Sequence, residues 1–227
     1  MNNTLKSYKE LKDIQDVTVN RFSSIAYVNL LLYPLPIRIF HWLLVASLSL
    51  TIIFGLMISF AYPFLPMKVV RFVHVSSGFV AFGVLLYRIG YALLSGDYRN
   101  FSIKLEDFKT FPDLIKYYLF LRQNPPPLRT KYNIGQKIIM LSWLVGILYQ
   151  TFAGIVLLNS SFVATDSLLS LLAKLTLPQH IRTTKFFLTI YFIVTIMVHI
   201  YLAHTEDIAK SQSMLTGWVR VKRKDGN

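Results

Sequence analysis

Four long apolar stretches separated by polar, basic connections organise the chain. A helix needs about 20 apolar residues to cross about 30 Å of hydrocarbon. Four segments qualify: Ile39–Ala61, whose one ionisable group is His41; Val69–Leu94, with Arg71, His74 and Arg88 toward its ends; Gln136–Asn159, with Lys137; and Lys185–His204, with His199. Hydrocarbon offers the backbone no hydrogen bonds, so each is read as a helix. The expected fold is all-α: an integral membrane four-helix bundle over residues 39–204, between a cytoplasmic segment at 1–38 and a basic cytoplasmic tail at 205–227. The first apolar run begins only near residue 39, is too long for a signal-peptide core and is followed by no small-residue cleavage site, so it is expected to stay in the mature protein.

Two connections carry patterns of their own. Phe111–Leu121 (FPDLIKYYLFL) has a proline in its first turn and closely spaced apolar residues, and Asn124-Pro125-Pro126-Pro127 ends it, which predicts an interfacial helix on the inner surface. Thr165–Leu175 (TDSLLSLLAKL) opens with capping residues, repeats leucine at three- and four-residue spacing and stops before Pro178, which predicts a second helix lying flat on the outer face.

Composition agrees with a bilayer as solvent: mean hydropathy is +0.48 and 54% of the residues are apolar. The net charge of +13 is no nucleic-acid signature, because the basic residues fall between apolar runs rather than along one aromatic-lined groove. Of the 24 Lys and Arg, nineteen lie before the first span, between Arg88 and Lys137, or in the tail, whereas Lys68, Arg71, Lys174, Arg182 and Lys185 lie in the other two connections. The positive-inside rule therefore places both termini and the long middle connection in the cytoplasm. There is no cysteine, which excludes disulfides, iron–sulfur clusters, covalent haem attachment and a nickel site of thiolates. Any redox centre needs other ligands.

Histidines are the candidates. His41 stands at the inner end of the first span, His74 near the outer end of the second, His199 near the inner end of the fourth and His204 just beyond it. Each is either solvated by headgroups or partnered, since ionisable groups inside a membrane are costly. His41 and His199 lie at matching depth on different spans, so one haem iron fits between them with both axial positions filled, an arrangement suited to electron transfer. His74 needs its own partner near the start of the fourth span. About 21 Å from His199 on roughly the same face is Lys185, and five residues earlier, in an outer loop after Pro178, is His180. A solvated loop histidine and a snorkelling lysine are the plainer readings of those two.

The segments YPLPIRIFHW, RFVH followed by Gly78, KYYLFLRQNPP, KYNIGQK, and HIYLAHTEDI with LTGWVR, in that order from Tyr33 to Arg220, resemble the b-type cytochrome subunit of membrane-bound nickel–iron hydrogenases, a prokaryotic dihaem cytochrome b family. The resemblance implies two haems b across the bilayer, electrons arriving from a periplasmic iron–sulfur subunit and leaving to quinone at the inner face. By position, His41 and His199 match the inner ligands and His74 one outer ligand. The second outer ligand falls on Lys185, so three outcomes stand: His180 ligates instead, neutral Lys185 ligates, or the outer haem is weak or absent. Asn133, Gly135 and Tyr201 lie where the family binds quinone. Asn133 also reads as a helix cap and Tyr201 as an interfacial anchor. Arg38 and Arg88 are candidates for haem propionates.

The function this implies is a non-catalytic, haem b-bearing anchor in the bacterial inner membrane. It would pass electrons from the small iron–sulfur and large nickel–iron subunits of a periplasmic hydrogenase to quinone, with membrane lipid as the other partner. The alternatives are an equivalent cytochrome of a formate dehydrogenase or thiosulfate reductase, and a non-redox anchor or assembly protein. A transporter is disfavoured, since no paired broken helices or inverted repeat are visible.

Overall fold

A computed structural model of the chain describes residues 27–61, 64–162, 178–205 and 208–222. In order they form β1 (Tyr27–Leu31), α1 (Leu35–Ser59), α2 (Met67–Ser95), a 3₁₀ turn (Asp97–Phe101), α3 (Leu105–Lys109), α4 (Phe111–Tyr118), α5 (Ile134–Phe162), α6 (Pro178–Thr205), α7 (Ile208–Thr216) and β2 (Trp218–Lys222). Among the described residues α1, α2, α5 and α6 are long and apolar enough to cross a membrane. With 25 to 29 residues each, they rise roughly 37–43 Å at 1.5 Å per residue, more than the hydrocarbon requires. The expected four-helix membrane architecture is what the chain adopts.

Two helices begin earlier than the apolar runs suggest, and proline is the reason. Its missing N–H and fixed φ suit the first helical turn. Pro36 lies in the first turn of α1, where the Pro34 carbonyl accepts the N–H groups of Ile37 and Arg38. Pro178 opens α6, so His180, expected in a loop, is instead an exposed residue of that helix's first turn. The expected Phe111–Leu121 helix is present as α4. The one expected at Thr165–Leu175 lies outside the described residues, as does most of the N-terminal segment.

The described residues fall into two compact units. One comprises Ile39–Arg88 and Met140–Ile200, the middles of the four spans. In it the helices run antiparallel in matched pairs. Thr51 of α1 bonds Ser77 of α2 through their hydroxyls at 2.9 Å, and Arg88 of α2 lies over the Phe40 ring of α1. Between α5 and α6, Ser142 bonds Tyr191 and Trp143 donates to Thr195 Oγ1 at 2.9 Å. Farther along, Ala153 and Val156 bury against Ile181. Such interhelical hydrogen bonds and close small-residue contacts are what hold helices together where no hydrophobic drive separates helix from lipid.

The other unit comprises the chain ends with Ile89–Ile139 and Tyr201–Asn227. Here β1 and β2 pair antiparallel, from Tyr27 opposite Lys222 to Leu31 opposite Trp218. Gly217, at φ +89°, makes the turn from α7 into β2. A Cβ there would lie 2.8 Å from Arg38 Nη1 and 3.2 Å from the Tyr33 carbonyl, so only glycine meets both demands. A buried ionic cluster ties the middle connection to α5. Asp107 receives Arg129 Nε and Nη2, each at 2.9 Å, and Lys137 Nζ at 3.0 Å. The Arg129 guanidinium holds the Asp107 carboxyl well below the ordinary carboxylate range against the opposing pull of burial. Asp107 in turn raises Arg129 further above its already high value.

Candidate haem sites

At one end of the spans, α1 and α6 bring His41 and His199 within electrostatic reach of one another. His41 is half-buried, and its Nδ1 is buried with no hydrogen-bond partner among the described residues. A buried ring nitrogen left unpaired costs about 1–3 kcal/mol, so the described residues by themselves leave this imidazole wanting a partner. The Trp42 ring meets it edge-on at 5.0 Å. Across the bundle, the Trp143 ring meets His199 edge-on at 5.6 Å, and the bond to Thr195, one turn of α6 away, fixes that indole.

At the other end the imidazole is held. Nδ1 of His74 lies 2.9 Å from the Thr51 carbonyl. A carbonyl only accepts, so Nδ1 carries the proton and the lone pair is on Nε2, the tautomer in which a histidine binds a metal. Gly55, one turn along α1, makes room: a Cβ there would stand 2.9 Å from His74 Cε1. Lys185 of α6 lies within electrostatic reach of His74. Its Nζ donates to the Gln150 carbonyl at 2.8 Å, while Gln150 Nε2 donates to the Lys185 carbonyl at 3.0 Å. The two helices are clasped there, and the amine is turned into the clasp.

Histidines on separate spans are a donor set that fits haem b, and the described residues hold no group of three or more His, Cys, Asp or Glu for a bare ion. A family model described as prokaryotic cytochrome b561 matches residues 32–217. The chain belongs to the prokaryotic cytochrome b561 family. Among curated proteins it is similar to the "Probable Ni/Fe-hydrogenase B-type cytochrome subunit" of Azotobacter vinelandii, 26% identical over 208 residues that make up 82% of this chain and 86% of that protein. The protein of the same name from Azotobacter chroococcum mcd 1 is 24% identical over the same shares.

The remaining expected residues of this cytochrome b561 chain are dispersed. Arg38 Nη1 donates to the Thr216 carbonyl at 3.2 Å. Arg88 is buried over Phe40. Asn133 caps α5 reciprocally with Gln136: its Oδ1 accepts the Gln136 N–H at 2.8 Å, and its own N–H meets Gln136 Oε1 at 3.1 Å. Its amide also donates to the Tyr118 hydroxyl. Gly135 fits against Leu114, Tyr201 is exposed on α6 and His204 lies in the last turn of that helix. Sequence reasoning missed Thr51 and Gly55, although Ser47, Thr51, Gly55 and Ser59 recur every fourth residue, the mark of a helix face that a neighbour approaches closely. Ser142, Gly146, Gln150 and Gly154 repeat the device on α5. Phe192 packs where a Cβ at Gly146 would fall.

Proposed function

We propose that this cytochrome is the membrane-anchoring electron-transfer subunit of a respiratory hydrogenase, carrying electrons from iron–sulfur and nickel–iron partner subunits on the periplasmic side to quinone at the cytoplasmic side. Both termini and the middle connection face the cytoplasm, a reading supported by the nineteen basic residues gathered in those segments. His41 and His199 would hold one haem b, and His74 would hold a second through Nε2. Bound haem supplies reversible one-electron transfer. The chain's own part is to orient the imidazoles, through the Thr51 carbonyl at His74 and the ring of Trp143 at His199, and to exclude water with apolar spans.

The observation that carries this reading is the presence of His41 and His199 on two separate spans, within electrostatic range, in a member of a b-type cytochrome family. The purified chain should show a haem b α-band on reduction. His41→Ala and His199→Ala should each remove the same haem, and His74→Ala a different one, with helix content unchanged. Hydrogen should reduce the band in membranes containing the partner subunits. A chain without an α-band defeats the proposal, and reduction by formate but not hydrogen assigns it to another dehydrogenase.

A further inference from the structure

The short helix α4 turns its apolar side the wrong way for a water-facing surface. Leu114 is buried on the inward side, resting against Gly135, and Tyr118 on that side accepts the Asn133 amide. The outward side carries Pro112, Ile115 and Leu119, with Lys116 at its edge. The chain then exposes three apolar residues in succession: Leu119 is 62% exposed, Phe120 87% and Leu121 75%. Phe120 is held there in a left-handed conformation, φ 60°, by its own N–H on the Tyr117 carbonyl and the Leu121 N–H on Lys116. A bulky residue in that region is strained, so this outward tip is stabilised by its surroundings rather than by local preference.

We propose that α4 and the tip Leu119–Leu121 are embedded in the acyl-chain boundary of an anionic bilayer surface, where they fix the depth of the α5 N-terminus. Two features favour lipid as the occupant. The connection begins where α2 ends at Ser95 and returns where α5 starts at Ile134, both ends of membrane spans, so the whole segment is tethered at the bilayer face. Lys104, Lys109 and Lys116, all exposed, lie in the same connection as the apolar tip, a pairing of basic and apolar residues that suits acidic headgroups. Depth is transmitted inward by two rigid links, the Tyr118–Asn133 hydrogen bond at the α5 cap and the bond of Asp107 to Lys137 one turn later. The inference rests on the membrane spans and is independent of haem or partner.

Because the chain contains no cysteine, Phe120→Cys and Leu121→Cys each introduce a single thiol for a nitroxide label. With the full chain in phosphatidylethanolamine vesicles containing phosphatidylglycerol, the label at either position should collide severalfold more with oxygen than with a water-soluble nickel chelate, relative to a label at Lys109→Cys. Replacing phosphatidylglycerol by phosphatidylcholine should make the tip shallower. Chelate-dominated collisions at both tip positions would overturn the proposal, as would a tip that leaves water only when hydrogenase subunits are added. A depth unchanged by loss of the anionic lipid would overturn its electrostatic part.

Discussion

The ring of His74 has almost no freedom on its α1 side, and a single methyl group at Gly55 tests what that confinement does. The added Cβ would stand 2.9 Å from Cε1 and 3.2 Å from Nδ1, whereas carbon atoms settle at about 3.5–4.0 Å. The ring must therefore retreat by roughly half an ångström. Its other restraint is the 2.9 Å contact with the Thr51 carbonyl. Retreat either stretches that hydrogen bond, worth about 1 kcal/mol, or turns the side chain off its rotamer at about 0.5–1.5 kcal/mol. Gly55→Ala should thus weaken binding at Nε2 by about 1.4 kcal/mol, or about tenfold. Alanine is the better helix former, so a loss cannot come from α1 itself. Gly83→Ala, with nothing within 4 Å of its Cβ, is the neutral control, and Gly154→Ala, 3.6 Å from Lys185 Nζ, should be tolerated. The assay is transfer of haem from the purified chain to an excess of apoglobin, followed by absorbance, with circular dichroism as the check on helix content. If Gly55→Ala keeps its haem as long as Gly83→Ala does, His74 is not a ligand held in place by that glycine.

Two further outcomes are expected. Asp107→Asn leaves Lys137, 2% exposed, without its counter-charge, with only neutral acceptors such as the Ser102 carbonyl, and removing one partner of a buried ion pair typically costs about 3–5 kcal/mol. Thermal unfolding in detergent should show a lower midpoint by the same amount throughout pH 5–8. Because the native carboxyl lies below its unfolded value of about 3.9, its contribution is complete above that pH and should shrink only as acid takes the wild type below about pH 4; a gap that varies between pH 5 and 8 contradicts this. Trp143→Phe keeps a ring beside His199 but removes the donor to Thr195, and should shift the potential and low-spin resonance of the haem that His41→Ala eliminates, unchanged values showing that the indole does not position the imidazole.

The spans were readable because a membrane helix announces itself by length and apolarity alone, with no need to know what it packs against. Elements built on distant pairing were not. Strand β2 has the alternation of a strand in Val219-Arg220-Val221-Lys222, but its partner β1 lies almost two hundred residues earlier in a short apolar run without alternation, and a strand without its partner is no more than a pattern. The Asp107 cluster joins residues 22 and 30 positions apart, so Arg129 and Lys137 counted as topogenic charge without revealing that they hold the connection to α5. Gly217 was visible in the LTGWVR motif, yet its reason, a positive φ against Arg38 and Tyr33, is geometric. Asn133 shows the opposite case: a cap is a local device, and Asn133-x-x-Gln136 was legible as one. Pro178 misled because the same residue that ends one helix can begin the next.

The two ends of the bundle solve ligand placement differently, and the difference runs against the first impression from the histidine count. At the end of His41 and His199, His41 carries a buried nitrogen with no partner among the described residues, and a ring lies edge-on to each imidazole, Trp42 at His41 and Trp143 at His199. On the proposed reading, bound haem would complete its orientation. Where one imidazole stands alone, His74 is fixed in tautomer and direction by the Thr51 carbonyl and pressed from behind at Gly55. That end is pre-organised on one side and preoccupied on the other, since the Lys185 amine already serves the clasp to Gln150. If His74 holds a haem as proposed, recruiting Lys185 as a partner ligand would break a hydrogen bond that holds α5 to α6, whereas Nδ1 of His41 is tied up by no hydrogen bond among the described residues. On the proposed reading, using Lys185 as a ligand would exchange one interaction for another, so Lys185 rather than His74 would govern how firmly a second haem is held.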